Sequence, residues 1–151
     1  MVGTRDGRKR YLSGALLAGL LGEELLQHLH CLRRRMQTPL YLAGGTVRDL
    51  LLARTPLDID FTVTEGGSRW ARELSRASGG TYVQLGRDED AARVAWQGRD
   101  LDFSSFRAGA LTIDQELRKR DLTVNSMAVS LDPLLLGGGG EQSLWAEIID
   151  P

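Results

Sequence analysis

A single cysteine, Cys31, cannot form an internal disulfide, so the fold carries no covalent staple, and the lack of a cysteine framework points to a reducing, cytoplasmic location. Neither sign of charge is in excess. Nineteen Lys and Arg stand against twenty Asp and Glu, a net charge of -1, which excludes a globally basic nucleic-acid binder and leaves any RNA contact to local patches or to protein outside these residues. No apolar run approaches the roughly 20 residues that span a bilayer. One stretch imitates a secretory leader, Arg8-Lys9-Arg10 followed by "YLSGALLAGLLG", but no small-x-small cleavage pattern follows it. It continues into Glu23-Glu24 and "LLQHLHCLRRRM", which reads as an amphipathic helix. What remains is 151 residues, 42% of them hydrophobic, enough to bury one core and too few for two, so a single domain is expected.

Hydrophobic spacing sets the coarse order of elements. Leucines and alanines recur every three or four residues from about Ser13 to Met36, interrupted at Gly19 and Gly22, which predicts one broken helix or two short ones, with Arg33-Arg34-Arg35 suiting a C-terminus. "PLYLAGG" reads as a buried strand, "TVRDLLLA" as a short helix, "LDIDFTV" as an alternating strand. "SRWARELSRASGG" reads as a helix with Ser68 as N-cap and Gly79-Gly80 as its stop. "TYVQLG", "ARVAWQG" and "DLDFSSF" are strand-like, while "TIDQELRKRD", opened by a capping-box spacing from Thr112 to Gln115, and "TVNSMAV" look helical. Gly137 to Gly140 reads as a flexible loop and "LWAEIID" as a last strand. The fold class is therefore α/β (α+β), with a sheet that is at least partly antiparallel.

The stretch "YLAGGTVRDLLLARTPLDIDF" carries the chemistry. Side chains alternate along a strand, so Asp58 and Asp60 project together while Ile59 and Phe61 face the core. Two neighbouring carboxylates repel unless a cation lies between them, and hard oxygen ligands of this kind suit Mg²⁺ completed by substrate phosphates. Gly44 and Gly45 fall where a strand gives way to a helix, so the backbone there can approach a phosphate, and Arg48, one turn on, can add a charged fork. A lone Asp-x-Asp is common on solvated strands and a lone Gly-Gly usually marks a turn; their combination and order carry the reading. His28, His30 and Cys31 do not make a metal site, because only positions 28 and 31 share a helical face and no fourth ligand is apparent. Trp70, Trp96 and Trp145 read as packing residues.

With "AGGTVRD", then "LDIDF", then "LRKRDLTVNSMA", and "IIDP" at the end, the sequence resembles the class II tRNA nucleotidyltransferase (CCA-adding enzyme) and bacterial poly(A) polymerase family, within the DNA polymerase beta nucleotidyltransferase superfamily. The resemblance implies a head domain with a mixed, mostly antiparallel sheet flanked by helices, which takes CTP and/or ATP and Mg²⁺ and extends an RNA 3′ end, that of tRNA above all. It implies that Gly44, Gly45 and Arg48 hold the triphosphate, that Asp58 and Asp60 hold metal, and that Arg120, Asp121 and Asn125 contact the nucleotide. Lys119 and Ser126 stand where the family usually has arginine and alanine. Asp121 also suits a cap for a helix starting near Leu122, four residues from Asn125. A third carboxylate on a neighbouring strand is common in the superfamily; Asp102 in "LDF" fits, to deprotonate or orient the attacking 3′-hydroxyl, although Asp100 shares its face. Arg107 matches an arginine that follows this strand in relatives.

Two departures bear on substrate. Only twelve residues separate Arg107 from Arg120, where many relatives that add complete CCA carry a longer loop; such a shortened linker is similar to that of enzymes adding part of CCA. The family continues beyond "DP" into neck, body and tail domains, and the neck reads the base; residues 1–151 are expected to be the head of a longer protein. Two other functions compete: a poly(A) polymerase with the same head motifs, told apart by an open-ended adenosine tail, and a non-catalytic nucleotide-binding or interaction module, told apart by metal-independent binding without turnover.

Overall fold

The computed structural model describes residues 2–5, 9–120, 125–137 and 144–151. Among these, nine strands form one sheet: β1 (Val2–Arg5), β2 (Lys9–Ser13), β3 (Leu40–Ala43), β4 (Asp58–Val63), β5 (Thr81–Leu85), β6 (Ala91–Trp96), β7 (Arg99–Ser105), β8 (Ala128–Ser130) and β9 (Trp145–Ile149). Their order is β1-β2-β9-β8-β3-β4-β7-β6-β5. Every neighbouring pair is antiparallel except β4 and β7. The helices are α1 (Gly14–Leu21), α2 (Glu23–Met36), α3 (Gly45–Leu51), α4 (Gly67–Ser78), α5 (Ile113–Arg118) and α6 (Asp132–Leu136).

The helical run expected from about Ser13 to Met36 is present as α1 and α2, but the strands before it were not anticipated. Residues Lys9–Ser13 form a strand between β1 and β9, with Lys9 pairing to Glu147 at 3.0 Å and Arg10 to Asp150 at 2.7 Å. Ser13 then switches the chain to helix: its hydroxyl accepts the Leu16 amide at 3.2 Å. Gly22, at φ 79°, breaks the helical run into α1 and α2, because few other residues accept that conformation. Arg33 gives the basic end of α2 a defined partner, forking onto Asp132 at 2.8 and 3.1 Å. That carboxylate also takes the Leu40 amide, tying α2, β3 and the short α6, which the sequence reading missed, into one corner.

"TVNSMAV" is not a helix over its described part: Ala128–Ser130 pair with β3 on one side and, through Ala128 and Val129, with β9 on the other. Sheet pairing outweighs a weak local propensity. Residues 121–124, on which the Asp121 cap was placed, lie outside the described residues, as do 138–140 of the glycine run. The Thr112 cap is present, its hydroxyl accepting the Gln115 amide at 3.2 Å, while the Gln115 side chain reaches back to the Leu111 amide.

One face of the sheet buries the main core under α1, α2 and α4. Trp70 of α4 lies parallel to Phe103, with ring centroids 6.1 Å apart, and Phe103 stacks on Phe61 at 4.7 Å. The opposite face carries α5, whose Ile113 and Leu117 pack with Ala43 and Ala128. Helices thus flank both faces of a mixed, mostly antiparallel sheet.

Ser68 does not cap α4. The cap position is Gly66, and the acceptor comes from far along the chain: Asp90 takes the amides of Gly66 at 3.0 Å and Ser68 at 2.9 Å, and the Ser105 hydroxyl at 2.6 Å. Burial pushes the Asp90 carboxyl up, but these hydrogen bonds outweigh it and hold it below the ordinary aspartate value. The close approach of helix to strand demands Gly67, where a Cβ would lie 2.7 Å from the Asp90 carbonyl oxygen and 2.8 Å from the Ser105 nitrogen. Gly67→Ala is therefore expected to lose about 1–3 kcal/mol of unfolding free energy in a urea titration, since neither obstacle is a flexible side chain.

Candidate active site

The paired glycines form the hinge between β3 and α3. Gly44 adopts φ 61°, ψ -133°, and its amide donates to the Met127 carbonyl at 3.1 Å, which fastens the end of the second motif to the first. The Gly45 amide faces the Asp60 carboxylate closely enough to favour its charged form. Arg48 folds back over this turn, with Nη2 3.2 Å from where a Gly45 Cβ would stand, and donates through Nη1 to Asn125 Oδ1 at 2.9 Å. The structure thus joins Arg48 and Asn125, two expected nucleotide contacts 77 residues apart.

Asp58 and Asp60 project from one face of β4, with Ile59 and Phe61 buried on the other. Because β4 and β7 run parallel in register, Asp58 lies beside Asp100 and Asp60 beside Asp102. The two candidates for third carboxylate differ in surroundings: Asp102 shares the cleft with Asp60, whereas Asp100 neighbours the exposed Asp58 at the start of the strand. Burial first, then the Asp102 charge, push the Asp60 carboxyl up to about 6; the Arg120 guanidinium and the Gly45 amide oppose them, and Asp58 adds repulsion. Hard oxygen donors crowded at such cost are what a divalent cation relieves, so the donor set fits a metal. Among the described residues no group of three or more His, Cys, Asp or Glu side chains is placed to hold a metal ion on its own.

Three residues were not anticipated. Thr46, 1% exposed, accepts the Asp60 amide at 2.8 Å and donates to the Asp58 carbonyl at 3.4 Å, so one hydroxyl locks α3 to the strand that carries both aspartates. It is the one polar residue among those α3 buries, and that pattern was available in the sequence. Arg93 of β6 forks onto Asp102 at 2.7 and 2.9 Å and reaches Asp100 at 3.2 Å. Its position opposite Asp102 follows from strand register alone, which sequence spacing did not fix. The third, Glu116, is buried and takes both the amide and the guanidinium of Arg107.

Arg120 closes the site. Its Nη1 would lie 3.2 Å from a Gly44 Cβ, its Nη2 is 3.8 Å from Glu116, and among the described residues its buried Nε has no hydrogen-bond partner. Burial lowers its pKa, an effect Glu116 opposes and Arg107 reinforces. The cleft between these groups is about 610 Å³ and is lined by Asp60, Asp102, Arg107, Glu116 and Arg120, with Asp90 at its far side. That volume is in the range of small-molecule sites. Of the other residues considered, His30 Nδ1 pairs with the Leu135 carbonyl, His28 meets Trp96 edge-on, and Trp70 and Trp96 are buried packing residues.

Comparison with known proteins now bears on this arrangement. A family model described as the poly A polymerase head domain matches residues 40–137, a span running from β3 to the end of α6 and holding every expected site residue. The chain belongs to that family. A CC-adding tRNA nucleotidyltransferase of Geobacter sulfurreducens is 38% identical over 117 residues, covering 72% of this chain and 26% of that protein. An A-adding tRNA nucleotidyltransferase of Halalkalibacterium halodurans is 30% identical, covering 76% and 30%. Among solved structures, a CCA-adding enzyme in complex with CTP matches with a TM-score of 0.70 at 28% identity, over 93% of this chain and 33% of that one. A tRNA nucleotidyltransferase bound to a primer tRNA and an incoming ATP analogue matches at 0.61 and 28%, over 68% and 30%. The poly A polymerase head fold is thus that of the nucleotidyltransferases, and this chain spans about a quarter to a third of the length of the relatives it matches. Among the described residues no helix is long and apolar enough to cross a membrane.

Proposed function

We propose that residues 1–151 are the catalytic head of an RNA nucleotidyltransferase, adding CMP and/or AMP from CTP or ATP to the 3′ end of tRNA. The observation that carries this reading is that Asp58, Asp60 and Asp102 share one sheet face, with Asp60 set against the Gly44–Gly45 turn and the Arg120 guanidinium and Asp102 in the same cleft.

In the reaction the RNA 3′-hydroxyl oxygen forms a bond to the α-phosphorus, the bond from that phosphorus to its bridging oxygen breaks, and pyrophosphate leaves with the electron pair. Asp102, in the cleft beside Asp60, orients the hydroxyl or accepts its proton. The Gly44–Gly45 turn lets the backbone approach the triphosphate, and Arg48 and Arg120 bring positive charge to it. Asn125, held by Arg48, presents an amide to the nucleotide. Asp121 joins the same motif in this reading. Asp58 and Asp60 would hold Mg²⁺, which when bound stabilises the charge of the attacking and leaving oxygens.

Base choice and most of the tRNA grip are assigned to domains of the kind the longer relatives carry, in keeping with the net charge of -1. A cytoplasmic location accompanies this reading. The short α5 linker and the CC-adding relative favour partial CCA addition. Poly(A) addition is the second reading, supported by the description of the family model itself. In the complete protein, Asp58→Ala is expected to abolish incorporation of labelled nucleotide; retained turnover would sink the assignment. Incubating that protein with tRNAs ending before, within and after CCA separates a fixed addition of C or A from an open-ended tail.

A further inference from the structure

Among the described residues Glu116 is the one charged side chain that is fully buried, at 2% exposure. A carboxylate so placed needs partners, and it has them on two sides. Oε2 accepts the Arg107 backbone amide at 2.6 Å, and Oε1 accepts Arg107 Nη1 at 2.9 Å with Arg120 Nη2 3.8 Å away. Its helix cannot drift, because Thr112 caps α5 and Ile113 and Leu117 anchor it against Ala43 and Ala128.

One carboxylate therefore faces two guanidinium groups, a local site of positive charge in a cleft otherwise lined by Asp60, Asp88, Glu89, Asp90 and Asp102. Arg120 spans the gap from Glu116 to the Gly44 turn and Asp60, and among the described residues its buried Nε has no hydrogen-bond partner. An unsatisfied buried donor on a cation is a group awaiting an acceptor, and a phosphate supplies one.

We propose that Glu116 is a positioning residue that holds Arg120, with Arg107, in the pose that receives the nucleoside triphosphate, without touching the nucleotide itself. The inference rests on the nucleotidyl-transfer reading. It makes the α5 linker part of the binding machinery rather than a spacer, because the residue that sets Arg120 lies one helical turn before it.

The test is equilibrium binding of CTP and of ATP, with Mg²⁺, to the complete protein and to Glu116→Gln, Glu116→Asp, Arg120→Ala and the Glu116→Gln/Arg120→Ala double variant. Glu116→Gln is expected to weaken binding about tenfold, the scale on which residues that orient a ligand-binding group act. Glu116→Asp, which keeps the charge, should weaken it less, and the double variant should bind no worse than Arg120→Ala alone. KM for the RNA acceptor should not move. Wild-type affinity in Glu116→Gln, or a Glu116→Gln loss undiminished in the Arg120→Ala background, overturns the proposal. Should circular dichroism show Glu116→Gln unfolded, Glu116→Asp takes its place in the same cycle with the same two overturning outcomes. A wild-type protein that binds neither CTP nor ATP overturns the nucleotidyl-transfer reading, and this one with it.

Discussion

Asp60→Asn is expected to lower nucleotidyl transfer by on the order of 10³-fold and, at the same time, to raise the melting temperature of the protein in EDTA. Asp60 is where the two demands conflict. Burial and the Asp102 charge lift its carboxyl from the ordinary 3.8 to about 6, despite Arg120 and the Gly45 amide. A carboxyl whose folded pKa is raised is harder to ionise folded than unfolded, so above about pH 6 its charge works against the fold. At pH 7 the cost approaches 3 kcal/mol as an upper bound, roughly 1.4 kcal/mol for each factor of ten in acidity. An amide of the same shape removes that cost and still presents an oxygen to the Gly45 N–H, so a gain of several °C in Tm is expected. Turnover should fall by on the order of 10³-fold, as when a preorganised group aimed at the reacting charge is removed. Mg²⁺ with CTP should then raise the Tm of wild type and leave that of the variant unchanged, since only a protein that binds the ligands is stabilised by them. A variant that is both active and less heat-stable would contradict both halves. The pairing matters because a purely structural aspartate would lose stability when replaced; opposite signs for stability and activity are the mark of a site strained for its work.

The residues that made this site readable were those whose role depends on sequence neighbours alone. Asp58 and Asp60 share a face because strand side chains alternate, and the Gly44–Gly45 hinge follows from an apolar run ending in two glycines; both are local facts. Sequence spacing did not distinguish the surroundings of Asp102 and Asp100; the parallel register of β7 on β4 puts Asp102 beside Asp60 and Asp100 beside Asp58. Arg93 was invisible for the same reason: it sits nine residues before Asp102 in the chain and directly opposite it in the sheet. Asp90 was missed as the cap of α4 because the acceptor comes from 22 residues away, and local reading placed that role on Ser68. At the amino terminus the helix from Ser13 was legible, but the strand before it was not: Lys9 and Arg10 meet Glu147 of β9 and Asp150 just after it, partners that only the folded sheet supplies. Local periodicity thus gave most of the elements, while long-range pairing decided which polar residues meet.

Gly44→Ala is expected to cost more than Gly45→Ala, in both stability and catalysis, although the two glycines are adjacent and equally prominent in the motif. Gly44 holds φ 61°, ψ -133°, a conformation that a residue with a Cβ adopts only at about 1–3 kcal/mol. The added carbon would also stand 3.2 Å from Arg120 Nη1 and 3.4 Å from Asp60 Oδ2, wedging between the cation and the carboxylate the site has to hold together. Gly45 begins α3 without a positive φ, and its Cβ would meet chiefly the far end of the Arg48 side chain, at 3.2 Å, which can swing aside. Displacing Arg120 and Asp60 by a fraction of an ångström to relieve the contact misplaces both the triphosphate partner and the metal ligand, and misplacement on that scale lowers kcat/KM by about 10²-fold. Gly45→Ala should lose less than about tenfold, chiefly as a higher KM for the nucleoside triphosphate, since the movement it forces is confined to Arg48. Steady-state kinetics with CTP on the complete protein, beside urea unfolding of each variant, separates the two. Equal losses at Gly44 and Gly45 would mean that phosphate approaches the backbone at both positions alike, and that the conformation of Gly44 and its wedge between Arg120 and Asp60 are not what make it indispensable.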